Sequence, residues 1–240
     1  GIVYAAIAAA GASLLPGGVD AESIMAGTET AVLLTYLLTA AAIVLWFRLR
    51  HKPLGEAAGL RRCSGWAAAF CAFCAVGLFV VVQLALALLP AAWMTDYNDQ
   101  MELLLSDGLI PALSITVAAP LAEELMFRGV IQTRLERAMP MWAAVVLQAV
   151  LFGVVHGTPI QMAYAFLLGL AFGFLRSRTG SILPGIAAHA AFNAMNDPLG
   201  IFGDAAGSWY ALAVMAAVSA AGCVCCRRGA VSLADAGGSE

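Results

Sequence analysis

Residues 108–133 read GLIPALSITVAAPLAEELMFRGVIQT, an apolar run broken only by Glu123, Glu124 and Arg128. A run of this length suffices for a helix to cross about 30 Å of hydrocarbon at about 1.5 Å per residue. Ionised groups inside such a run are costly, at least about 2.5–3.5 kcal/mol each on insertion scales. They therefore pair with one another or line a wet cavity. Glu124 and Arg128 are four apart with the acid first, the favoured order for a helical ion pair. Glu123 is left over, rotated by about 100° around the helix toward a different neighbour.

The rest of the chain supports a membrane setting. Of its 240 residues, 62% are hydrophobic and 11% charged, and mean hydropathy is +0.89, too little charge to cover a soluble domain. Further apolar runs fall at 1–15, 29–47, 65–89, 141–157, 160–177, 182–196 and 207–226, separated by Pro, Gly and Asp-Pro breaks. With span four, the reading is an all-α, polytopic integral membrane bundle of about eight transmembrane helices. The run at 1–15 lacks a preceding basic segment and reads as a partial first span.

Charge orients the bundle. Arg48, Arg50, Lys52, Arg61 and Arg62 follow span two, Arg134 and Arg137 span four, Arg176 and Arg178 span six, and Arg227 and Arg228 span eight. Opposite loops carry Asp20, Glu22, Asp96, Asp99, Glu102, Asp107 and Asp197. The positive-inside rule then predicts N-in and C-in. Residues 1–228 form a single membrane domain, and the polar, Gly-rich 229–240 segment is expected to be a disordered tail. A net charge of −3 leaves no footprint for nucleic acid. The six cysteines are expected to be thiols, and Cys71 and Cys74 small packing residues. Gly169 and Gly173 read as a close-approach face for a neighbouring helix.

More polar residues stand where lipid should be: His156 at the end of span five, and His189 and Asn193 on one face of span seven. Glu123 and His156 lie equally far in sequence from the Met139-Pro140 turn, so in an antiparallel hairpin they share a depth, about 25 Å from that turn. Such a set suits amide hydrolysis: a glutamate takes a proton from water, and His plus Asn donate to the oxyanion. Glu123, His156 and His189 are equally a zinc-binding set of two His and one carboxylate. The residues alone leave both routes open. A proton relay or small transporter also uses intramembrane Glu and His, although no inverted repeat accompanies them here.

At these positions the chain resembles the CPBP family of intramembrane proteases, which includes the type II CAAX prenyl endopeptidases and bacteriocin-processing or immunity proteins. The EExxxR motif is Glu123-Glu124-Leu125-Met126-Phe127-Arg128, FxxxH is Phe152-Gly153-Val154-Val155-His156, and HxxxN is His189-Ala190-Ala191-Phe192-Asn193. The likeness runs from about Leu109 to Asn196. It implies a protease in which Glu123 and His156 activate water, Glu124 and Arg128 hold the geometry, and His189 with Asn193 form the oxyanion hole. A glutamate mechanism with no required metal is the favoured implication, with zinc the other. The partners implied are the bilayer and a membrane-associated peptide or protein, prenylated in the CAAX case. The Ala- and Gly-rich chain suits a multi-pass protein of a prokaryotic cell membrane. A non-catalytic scaffold or immunity protein keeping the motifs is the rival reading.

Overall fold

The structure is a computed structural model and describes residues 21–63, 65–104 and 108–196; the spans read at 1–15 and 207–226 and the tail at 229–240 lie outside them. The described chain is helical with no strand. Helix α1 is Ala21–Leu49, α2 the single turn Leu54–Ala57, α3 Gly65–Ala87 and α4 Ala91–Leu104. The long α5 covers Leu109–Ala138, followed by α6 Met141–Val154, α7 Pro159–Thr179 and α8 Leu183–Ala194.

Among the described residues, four stretches are long and apolar enough to cross a membrane: Gly27–Leu49, Ala68–Ala87, Leu109–Ala138 and Pro159–Thr179. They match spans two, three, four and six of the sequence reading, and the protein is a multi-pass helical membrane protein. The runs at 141–157 and 182–196 are helices too, but α6 has 14 residues and α8 has 12. At about 1.5 Å per residue they reach only about 21 and 18 Å, less than a bilayer's hydrocarbon thickness. His156 follows the end of α6, and α8 carries His189 and Asn193.

Local chemistry sets the breaks. Pro140 precedes α6, while Pro159 and Pro184 occupy first turns, where their missing N–H costs nothing. The Thr158 side chain caps α7 by accepting from the Gln161 amide at 3.3 Å. Gly180, at φ 64°, ends α7 in the left-handed conformation that glycine adopts without penalty.

Close helix contacts rest on glycine. A Cβ on Gly169 would sit 2.9 Å from Ala149 Cα, and one on Gly153 2.8 Å from the Met162 carbonyl, so α6 and α7 meet backbone to backbone. The Gly169 face expected from sequence is thus spent on packing within the chain. Helix α8 lies mainly on α3 and crosses α5, and one apolar core joins Phe79, Phe127, Phe152, Phe172 and Phe192. Cys71 packs against this core.

A polar layer closes the bundle between α5, α6 and α7. Gln132 Nε2 donates to the Gly173 carbonyl and Ser177 Oγ, each at 2.8 Å, and Gln148 Nε2 to the Gly169 carbonyl at 2.6 Å. Arg176 pairs with Glu136 at 2.6 Å. Both glutamines are fully buried, and their bonds tie three helices together where water cannot compete.

Candidate active site

Helix α5 is wound unevenly where it carries the acids. Pro120 has no N–H to donate to the turn before it and crowds the carbonyl there, and the preceding Ser114–Ala118 stretch adopts the wider π winding. Ser114 and Thr116 hydroxyls bond back to the Ile110 and Ala112 carbonyls in the same stretch. A second π stretch, Glu124–Gln132, begins immediately after Glu123. The two acids thus stand at a change of helical winding, a place where helices commonly hold functional groups.

Glu124 and Arg128 are fully buried, with Arg128 Nη1 3.0 Å from Glu124 Oε1. The guanidinium lies 4.2 Å from the centre of the Phe152 ring and 5.5 Å from that of Phe172, so aromatic faces shield the charge that Glu124 neutralises. Glu124 Oε1 also accepts from His189 Nδ1 at 3.2 Å. On the other side of that imidazole, Nε2 stands 3.8 Å from Glu123 Oε2. One ring therefore bridges both acids. Glu123 therefore shares His189 with Glu124 rather than facing a wholly different neighbour, and Tyr36 of α1 lines the same cleft as Glu123.

His156 follows the end of α6. Its Nδ1 donates to the Phe152 carbonyl at 2.6 Å, because a carbonyl only accepts, and this leaves Nε2 for other partners. Glu123 and His156 share one cleft, as the hairpin register predicts, but the imidazole that contacts Glu123 is that of His189. Asn193 Nδ2 donates one hydrogen to the Ile115 carbonyl, inside the first π stretch, at 2.9 Å. Its second N–H is still available.

The cleft has a volume of about 140 Å³ and is lined by Glu123, His156, His189 and Asn193 together with Tyr36 and Gln100. Glu124 and Arg128 stand behind it. Gln100 of α4 donates at 2.9 Å to the His156 carbonyl and at 2.7 Å to Gln161 Oε1, bracing the α6–α7 turn. Sequence reading missed Tyr36 and Gln100. Tyr36 is a phenol inside an apolar run, the same kind of violation that singled out Glu123; Gln100 sat in what read as an acidic loop.

As arranged, Glu123, His156 and His189 do not converge as a metal site; no group of three His, Cys, Asp or Glu among the described residues does. His189 Nδ1 meets Glu124 and His156 Nδ1 the backbone, which leaves Nε2 of each ring for other partners.

Paired carboxylates, a buried arginine and two imidazoles thus lie together inside the helical bundle of a multi-pass membrane protein. Residues 105–195 match the family described as Type II CAAX prenyl endopeptidase Rce1-like, which supports the resemblance to the CPBP and CAAX proteases over this segment. An Escherichia coli protein described as an uncharacterized 24.3 kDa protein is 29% identical over 161 residues, 65% of this chain and 73% of that one. No solved structure matches.

Proposed function

We propose that this protein is an intramembrane endopeptidase that uses a glutamate-activated water and needs no metal. The observation that carries this is the convergence of Glu123, His156, His189 and Asn193 on one cleft, backed by the buried Glu124–Arg128 pair. A water in the cleft donates one hydrogen to Glu123 and the other to the bare Nε2 of His156, which aims its lone pair at a peptide carbonyl. Glu123 takes the first proton as oxygen bonds to carbon.

The resulting oxyanion accepts from Asn193 Nδ2–H and His189 Nε2–H. His189 already donates through Nδ1 to Glu124, so an Nε2–H makes it an imidazolium. Two carboxylates then balance Arg128 and His189, and the site is neutral overall, which low-dielectric surroundings favour. The proton on Glu123 passes to the departing amine as the C–N bond breaks, yielding a carboxylic acid and an amine, and the acid's proton then passes to the amine to leave a carboxylate and an ammonium.

The substrate class follows from access. Helix α4, bearing Gln100 and Met101 of the cleft lining, also carries Asp96, Asp99 and Glu102, whereas the Arg-rich ends of α5 and α7 lie beyond the buried Gln132 and Gln148 layer. With basic loops inside, the cleft opens toward the far leaflet. A membrane-embedded or exported peptide reaches it more directly than a cytosolic prenylated protein.

Membrane peptides in cells producing the native chain and the Glu123→Gln variant test this. An uncut peptide should accumulate with the variant at unchanged protein level. Identical peptides with full biological activity in both would make the protein a scaffold instead.

A further inference from the structure

Away from the catalytic cleft, a second cavity of about 220 Å³ lies between the basic end of α5 and the end of α1. Arg50, Lys52, Arg134 and Arg137 line it along with Trp46 and Phe47, and no carboxylate does. Of the acids adjacent in sequence to lining residues, Glu136 is turned to Arg176 and also accepts from Gln132 and Ser177, while Glu56, next to Ala57, is exposed and outside the lining. The four cations are therefore not neutralised from that direction.

The cations are positioned by the fold. Arg134 stacks 4.7 Å from the centre of the Trp46 ring, with Nη1 donating to the Val130 carbonyl at 3.0 Å, and Arg50 lies 6.0 Å from the same ring. Ring faces hold the guanidinium planes and leave N–H edges for a ligand. Past α1 the chain reverses at His51, a non-glycine residue at φ 49°, and the Lys52 amide returns to the Phe47 carbonyl at 3.0 Å. That helix-ending turn brings Lys52 back to the cavity, whose lining it joins.

We propose that this cavity binds the phosphate headgroup of an anionic phospholipid. Apolar surface leads into it along α1, where Leu45 is 55% and Leu49 69% exposed, so a ligand with acyl chains is held at both ends while a free phosphate is held at one. Basic pockets among membrane helices at headgroup level suit such lipids, and cations near an anionic surface contribute about 1 kcal/mol each.

The test reconstitutes the full chain in phosphatidylcholine vesicles doped with phosphatidylglycerol, extracts it in mild detergent and counts retained lipids by native mass spectrometry. The native chain should retain phosphatidylglycerol preferentially. Arg50→Ala/Arg134→Ala should weaken retention roughly thirtyfold, the effect of two cations at about 1 kcal/mol each, and Lys52→Ala alone roughly fivefold. The control Arg61→Ala/Arg62→Ala removes equal charge from exposed residues outside the cavity lining and should retain the lipid as the native chain does. Equal loss in both double variants would show diffuse surface attraction and overturn the site. Inorganic phosphate that displaces the lipid from the native chain at comparable concentration would equally overturn it, in favour of a free-anion site. All substituted side chains are exposed, and thermal unfolding beside the native protein checks that each variant is folded.

Discussion

Replacing Arg128 with methionine removes a buried cation while roughly keeping its bulk, and leaves Glu124 charged, fully enclosed and without its partner at 3.0 Å. Breaking a buried pair from one side costs about 3–5 kcal/mol, because the remaining charge has neither water nor a counter-ion. Loss of the guanidinium–aromatic contacts with Phe152 and Phe172 adds about 0.5–2 kcal/mol. Glu124→Gln/Arg128→Met removes both charges, and the side-chain amide that replaces the carboxylate still offers His189 Nδ1 an oxygen. The double variant should therefore recover most of the loss and lie within about 1–2 kcal/mol of the native protein. Equilibrium unfolding in mixed micelles, followed by tryptophan fluorescence and far-ultraviolet circular dichroism, measures all four corners of the cycle. A double variant as unstable as Arg128→Met alone would show that packing volume, not an orphaned charge, sets the cost, and would refute this account of the pair.

The remaining expectations concern chemistry and packing. Asn193→Ala should lower kcat by about 10²–10³, the usual effect of removing one oxyanion donor, with little change in KM; an equal fall in folded protein would point to the Ile115 bond as its main role. Gly169→Val should destabilise the protein by about 1–3 kcal/mol, because α6 and α7 must separate to admit the side chain, and an unchanged melting temperature would contradict the contact. Cleavage by the purified protein should survive strong chelation, with no stoichiometric zinc by elemental analysis; restoration of a chelated enzyme by zinc would reverse the mechanism proposed.

The spans were legible wherever the apolar run was long. Spans two, three, four and six needed only hydropathy, and the hairpin register placed Glu123 and His156 on one cleft before any coordinates. What hydropathy does not carry is length against depth: α6 and α8 are apolar yet too short to cross, and their composition does not distinguish them from full spans. Helix α4 was read as an acidic loop because Asp96, Asp99 and Glu102 mask it, although the acids mark an amphipathic helix over the cleft. The change of winding at Glu123 was also hidden, since the wider turns depend on how Pro120 and the hydroxyls of Ser114 and Thr116 redistribute backbone bonds. Gln132 and Gln148 are uncharged, so a search for charge in apolar runs passes over them.

The site turns on a single atom. Glu124 Oε1 meets both Arg128 Nη1 and His189 Nδ1, so the ion pair and the imidazole share one acceptor. Were the pair present only to neutralise a buried arginine, its geometry would satisfy that arginine; instead Arg128 Nε, Nη1 and Nη2 all lack a hydrogen-bond partner, Nη1 meeting Glu124 Oε1 as an ion pair only, and the guanidinium lies against aromatic rings. At Glu124 only Oε1 is engaged, by His189 Nδ1 and the guanidinium, while Oε2 has no hydrogen-bond partner. Gly185, one turn before His189 on α8, makes this approach feasible, since a Cβ there would stand 2.9 Å from Glu124 Oε2. A fully buried carboxylate is thereby held against an imidazole whose other nitrogen faces Glu123, and burial of the ion pair is the physical means by which His189 keeps its orientation.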